Sequence, residues 1–465
     1  MAAGRHESRA TVRTRETPKG PIVLGSNAMA LAATPRVRRI QSISLALLVT
    51  AGVVNYVDRA TLAVANPLIR EDLGLSIPDM GLLLSAFLWA YAFAQLPAGA
   101  LSDRLGPRLT LTLGLTCWSL GQMLGGAVTS FWQFVSARIV LGVGEAPHFP
   151  TCARVSRDWF NIRQRGTATG IWNSASSLGT FLALPLLTFL MVSFGWRAMF
   201  VIMGGAGLAL AAIVYLVFRN PRETDLTPAE RAFLEEGDAP NARRPVTWSA
   251  WRRLFGFRTS WGMIVGYFGC IYMTWLYTAW LPSYLEIERH FTLQKTGLIG
   301  SIPFAFGVLG GILGGRVVDI LVRRGVDPIR SRKIPMVGSL VATAAFTVVA
   351  ALTPSDTLAI ACISASLFLV YLSSSSAWAM ASVAAPANCT ASLGAMQNFG
   401  GYIGGALAPT VTGFIVGGTG HFSFAFITGA VIALLAALGY WTLIQDPIAD
   451  EAPSVRLVGG LHAAE

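Results

Sequence analysis

Four charged residues fall where the surrounding sequence is otherwise apolar, and their types suit ion pairing and proton transfer. Asp58 and Arg59 lie inside NYVDRATLAVA (55–65), and Arg138 and Glu145 lie inside ARIVLGVGEAPHFPT (137–151). A charge at the centre of a membrane span costs about 2.5–3.5 kcal/mol on an insertion scale. Such groups persist when they pair with one another or line a wet cavity. Neighbouring residues on a helix point about 100° apart, so Asp58 and Arg59 face separate partners. The plainer alternative is a structural ion pair. Arg138 and Glu145 are seven residues apart and share one helix face, about two turns from each other. Pro147 and Pro150 follow, remove backbone donors and bend the helix. A carboxyl group at such a kink is half desolvated. Burial favours its neutral form and a nearby arginine its charged form. A cavity that opens and closes would change that balance, which is a physical route to proton coupling. The static alternative is an Arg138–Glu145 brace. His148, one turn from Glu145, reads first as packing or a polar contact.

These charges need elements that hold them in lipid. Of the 465 residues 53% are hydrophobic and only 13% charged, about half the charge share of a soluble domain. The mean hydropathy is +0.56. A soluble core cannot hide that much apolar side chain, because surface area stays large at this size; lipid can. The net charge of +11 would suggest nucleic acid in a soluble protein. Here the basic residues cluster between apolar runs, so they read as topological signals and no nucleic-acid partner is expected. Five cysteines occur without a CxxC pair and read as inert thiols rather than disulfides or metal ligands.

About 20 apolar residues cross the hydrocarbon core as a helix. Twelve candidate spans result, at 41–62, 79–100, 107–127, 132–153, 166–192 and 197–218, then 260–285, 296–320, 333–352, 357–381, 391–417 and 422–443. The expected organisation is a tail over 1–40, a six-helix bundle over 41–218, a polar linker over 219–258, a second bundle over 259–443 and a tail over 444–465. The first 40 residues hold no stretch apolar enough for a signal peptide; a disordered tail, a transit peptide and a native start at Met29 are the readings open. Within the linker, Thr227 and Glu230 give LTPAERAFLEE (226–236) a capping-box start. Lysine and arginine gather before span 1 and after spans 2, 4, 6 and 8, which places both termini in the cytoplasm. The loop PANCT (386–390) should share that side yet has no basic residue. Gly99 and Asp103 in GALSDRLGPR (99–108) recur as Gly315 and Asp319 in GGRVVDILVRRG (314–325). A parallel repeat joined by a polar linker is how two-bundle transporters enclose a central cavity.

The segment GALSDRLGPR resembles the cytoplasmic loop signature of the major facilitator superfamily. NYVDR, SAFLWAYAFAQLPAG (85–99), that loop and GEAPHFPT together resemble the anion:cation symporter family within it, over about residues 40–445. The resemblance implies an all-α membrane protein of two pseudo-symmetric six-helix bundles. It implies proton-coupled symport of a small organic anion, such as a hexonate, hexarate or hexuronate, by alternating access. Asp58 and Glu145 would carry protons, Arg59 would meet the substrate carboxylate, and Arg138 would pair with Asp58 or Glu145. Tyr56, Tyr91, Gln95, Asn173, Ser176, Ser375, Trp378 and Asn398 stand at matching positions for substrate hydroxyls. Core packing is the alternative for Trp378, and helix–helix hydrogen bonding for Asn398. Galactonate-type porters carry glutamine where WNSASSLG (172–179) has Ser176, which leaves the particular anion open. Gly99, Asp103, Arg104, Arg108 and Asp319 would gate, by holding the bundles together in one state.

No enzyme chemistry is expected. No phosphate-binding loop occurs, since GVGEAP lacks the Lys-Ser/Thr ending, so the proton gradient and no cofactor would drive the cycle. A monomer in the cell (inner) membrane is expected. The alternatives are an anion facilitator or exchanger without proton coupling, an exporter of the same fold, and a membrane receptor.

Overall fold

The computed structural model describes residues 33–236, 252–385 and 390–448. The tails before and beyond these residues, Met29 and most of PANCT lie outside them. All regular structure among the described residues is helical.

The first half begins with α1 (Pro35–Val64) and the short α2 (Asn66–Leu73). Helix α1 starts earlier than the apolar stretch suggests. The Thr34 hydroxyl accepts from the Val37 backbone N–H, and Pro35 fills the first turn, where its missing donor costs nothing. Then follow α3 (Ile77–Ala127), α4 (Phe131–Glu145), α5 (His148–Trp159) and α6 (Ile162–Val217). The long helices α3 and α6 each leave helical geometry once, at Gly106 (φ 78°) and Gly195 (φ 82°). A side chain at either φ would meet the left-handed penalty, so glycine divides each into two spans.

The linker carries α7 (Pro228–Leu234), capped reciprocally by Thr227 and Glu230. The second half contains α8 (Arg258–Ser283), which runs on through a π-turn at Tyr284–Glu288, then α9 (Leu293–Ile299) and α10 (Ile302–Arg323). It ends with α11 (Pro328–Leu352), α12 (Asp356–Ala384), α13 (Thr390–Thr419) and α14 (Phe422–Leu443).

Among the described residues nine helices are long and apolar enough to cross a membrane. Twelve crossings follow from the breaks. Ala168–Val217 passes as one apolar run although Gly195 divides it. Residues 107–127 carry threonines, a glutamine and an arginine that lower their hydropathy, and α4 stops too soon at Glu145.

Helix α1 packs on α6, and α3 on α4 and α6; in the second half α8 packs on α13 and α14, and α12 on α10 and α11. The halves meet chiefly through α3 against α13, and through α6 against α9 and α10. Small residues make these approaches close. A Cβ on Gly81 would lie 2.6 Å from the Pro409 carbonyl, and one on Gly417 would lie 2.7 Å from Pro78. Thr410 donates to Ser85 Oγ at 2.7 Å across the same seam.

Candidate functional site

Glycines on α4 set the site. A Cβ on Gly142 would strike the Phe87 carbonyl, and one on Gly144 the backbone of Trp118. Helices α3 and α4 therefore close almost backbone to backbone, and α4 then ends at Glu145, with Ala146 as its cap and Pro147 next. The carboxylate stands at that break and faces α1.

The four intramembrane charges converge there. Arg59 donates from Nε to Glu145 Oε2 at 2.8 Å, with 4% and 0% of the two side chains exposed. Asp58 and Arg138 are equally buried, at 0% and 2%. Neither side chain makes a hydrogen bond among the described residues. Asp58 lies within electrostatic reach of both Arg138 and Glu145. The direct pair is thus Arg59–Glu145, where helical spacing suggested Arg138–Glu145; Arg138, for which the family resemblance implied pairing with Asp58 or Glu145, lies within electrostatic reach of both without a hydrogen bond. The reason is directional. Helical side chains lean toward the N-terminus, so Arg138 leans away from a carboxylate seven residues further on.

Aromatic faces surround Arg59. Its Cζ lies 4.7 Å from the Tyr91 ring, 4.8 Å from Tyr56 and 5.2 Å from Phe87. The Phe87 ring also serves Arg138, whose Cζ is 5.0 Å away, so one ring meets both cations. Arg59 Nη2 has no hydrogen-bond partner among the described residues. Gln95 donates to the Tyr91 hydroxyl at 3.0 Å. Gly179 lets α6 approach α1 at Tyr56, where a Cβ would come within 2.7 Å of it, and Ser176 lies beside Tyr56. The Ser176 hydroxyl donates to its own helix at Asn173 O, 2.7 Å away, and Asn173 is exposed.

Further polar groups pack behind the charges. Thr61 donates to Asp58 O at 2.7 Å and accepts from Gln122 at 3.0 Å. Asn55 faces Glu145 outside hydrogen-bonding geometry, and Trp118 stands in the same relation to Asp58. The His148 ring meets Trp118 edge-on at 6.1 Å, and its Nε2 is 3.7 Å from Cys152 Sγ.

The second half supplies an uncharged wall. The Tyr402 ring lies 4.9 Å from Tyr91, and Trp275 lies 6.3 Å from Phe87. Tyr267 shares a hydrogen bond with Ser374 Oγ at 3.2 Å and meets Trp378 edge-on at 6.0 Å. Trp378 is 48% exposed rather than packed into a core. Ser375 donates to Gly311 O at 2.8 Å, and Asn398 is half-buried one turn before Tyr402. Tyr402, Tyr267 and Asn55 did not stand out in the sequence. For Tyr402 a signal existed: it follows Asn398 at i+4, on the same face.

Of the residues expected to gate, Arg104, Arg108 and Asp319 have described side chains. Arg108 fastens its own half. It donates to the Tyr215 carbonyl from Nε at 2.9 Å and Nη2 at 2.7 Å, lies over the Tyr215 ring, and pairs with Glu223 at 3.3 Å. The turn at Gly106 directs the chain toward the linker, where the Arg108 backbone N–H donates to Asn220 Oδ1. Arg104 lies exposed on the same end, and Asp319 lies exposed on the other half. Gly99 and Asp103 belong to α3.

Comparison with known proteins bears on this arrangement. Residues 48–409 match the family model described as Major Facilitator Superfamily. The chain is 43% identical to the "Probable L-galactonate transporter" of Escherichia coli (strain K12), over 89% of this chain and 92% of that protein. It is 33% identical to the "D-galactonate transporter" of Escherichia coli O6:H1, over 89% and 97%. It is 32% identical to a "Probable galactarate/D-glucarate transporter" of Bacillus subtilis, over 84% and 89%. Among solved structures, a bacterial homolog of the human lysosomal transporter Spinster superposes with a TM-score of 0.72 at 17% identity, over 88% of this chain and 97% of that one. A D-xylose–proton symporter superposes with a TM-score of 0.69 at 15% identity, over 87% and 98%.

Proposed function

Because the chain belongs to the Major Facilitator Superfamily, we propose that it carries a sugar acid across the membrane together with protons, exposing one site to the two sides in turn. It is a multi-pass membrane transporter and not an enzyme.

The observation that carries the finer reading is the state of Arg59. Its guanidinium is buried where the two halves meet, is held through Nε by Glu145, and keeps Nη2 without a partner. A substrate carboxylate fits that donor, in a low-dielectric site where a charge-assisted hydrogen bond is strong. Drawing Arg59 toward the substrate strips Glu145 of its partner, and a buried carboxylate without a cation is costly. A proton on Glu145 removes the cost. Asp58 and Arg138 lie within electrostatic reach of each other without a direct bond. Proton uptake and substrate binding are coupled because the substrate takes the arginine from the carboxylate and the proton then takes the arginine's place on it.

Gln95, Asn173, Ser176, Ser375, Trp378 and Asn398 would meet the hydroxyls. The charge bias of the loops supports cytoplasmic termini. The work needs a proton gradient and no cofactor, and a single chain holds the whole site. The relatives named above transport galactonate, galactarate and glucarate, which supports this class of cargo. The test is galactonate uptake into proteoliposomes with and without an inward proton gradient. Accumulation should appear only with the gradient and collapse with a protonophore. Equal uptake without a gradient would favour a facilitator.

A further inference from the structure

We infer that the site accepts a polyhydroxy monocarboxylate and rejects the dicarboxylate of the same carbon skeleton. This rests on the reading of Arg59 as the carboxylate clamp.

The interior charges balance within the first half. Arg59 and Arg138 face Glu145 and Asp58, two cations against two carboxylates. Arg138 is enclosed at 2% exposure against the Phe87 ring, within electrostatic reach of Glu145 and Asp58, so it is not offered to a second substrate group.

Among the described residues, none of those facing Arg59 from the second half is a cation. Tyr402 comes within electrostatic reach of Arg59, and Tyr267 within reach of Tyr56. Around them stand Ser374, Trp378 and Asn398, all uncharged. Two basic residues of the second half are engaged at span ends. Arg289 donates to Tyr284 Oη and to the Thr353 carbonyl, and Lys333 donates to the Ile444 carbonyl.

A six-carbon sugar acid held by one end on Arg59 reaches this wall with its other end. A terminal hydroxymethyl group finds hydroxyl and amide partners, and the C–H faces of the chain find Tyr402 and Trp378. A terminal carboxylate finds no cation among the described residues of this wall. An unpaired charge in the membrane interior weakens binding on the order of 100-fold.

Galactonate and galactarate form a matched pair that differs at C6, hydroxymethyl in one and carboxylate in the other. Their affinities are measured by calorimetry on the full chain in nanodiscs at pH 7. Galactonate should bind on the order of 100-fold more tightly than galactarate. Asn398→Lys should narrow the ratio by strengthening galactarate, with a monodisperse size-exclusion profile and a wild-type melting temperature reporting that the variant folds. If that variant does not fold, the wild-type ratio decides alone. Equal affinities that both depend on Arg59 would overturn the monocarboxylate inference and leave the clamp intact. No binding of either acid, or binding that survives Arg59→Ala, would overturn the clamp and the inference with it.

Discussion

Glu145 has one hydrogen-bonded partner, Arg59, and the chemistry proposed for the site follows from how that partner is shared. Replacing Arg59 by alanine should weaken sugar-acid binding on the order of 100-fold, from loss of a charge-assisted hydrogen bond worth about 1.5–3 kcal/mol. Arg59→Lys should recover little, because a point charge cannot hold Glu145 and a substrate carboxylate from one planar fork. Unchanged affinity in the alanine variant, read by calorimetry, would remove the clamp. The four interior charges were legible in the sequence because charge is expensive in an apolar span, so its persistence is informative. Their pairing was not legible. Spacing put Arg138 and Glu145 on one face, but side-chain direction gave Glu145 to Arg59. Tyr402 and Tyr267 were hidden for the opposite reason: a tyrosine in a span costs little and therefore signals little.

At the scale of elements, the linker helix α7 is fastened to the first half. Thr34 donates to Glu230 Oε1 at 2.7 Å, Arg36 donates to the Asp225 carbonyl, and Asn161 donates to Glu236. Phe233 and Leu234 are buried beneath it. The Thr227 backbone N–H, with the Thr34 and Thr227 hydroxyls, holds the Glu230 carboxyl below the usual glutamate range. A carboxyl depressed in the folded state contributes stability above its unfolded value. That contribution fades as pH falls from the ordinary glutamate range toward the depressed value. Docking of α7 should therefore persist at neutral pH and loosen under acid, and Glu230→Gln should loosen it at every pH. Limited proteolysis of the linker would read both; protection of the variant equal to wild type at neutral pH would contradict the latch. The capping box was readable from Thr227 and Glu230, but its anchor at Thr34 lies 196 positions away and leaves no periodic trace. The breaks behaved similarly. Pro147 announced the end of α4. The expected spans bracketed the other two breaks, at 101–106 and 193–196, but which of the 48 glycines makes each turn shows only in the positive φ of Gly106 and Gly195.

For the whole molecule, the two halves touch closely along a seam from Pro78 to Ser85 and from Pro409 to Gly417. Alternation requires that this seam part. Gly81→Val places a side chain against the Pro409 carbonyl and should bias the protein toward the parted state. A Ser85→Cys reporter, in a background without native cysteines, should then react faster with an impermeant maleimide; an unchanged rate would mean the seam does not hold the halves.

Coupling itself is tested most directly by paired measurements on Glu145→Gln. The amide cannot carry the exchanged proton but keeps the shape of the site. Galactonate binding should be retained or tightened, since no carboxylate then competes for Arg59, while gradient-driven uptake into proteoliposomes is abolished. Uptake at the wild-type level, with accumulation still following the pH gradient, would contradict the role given to Glu145.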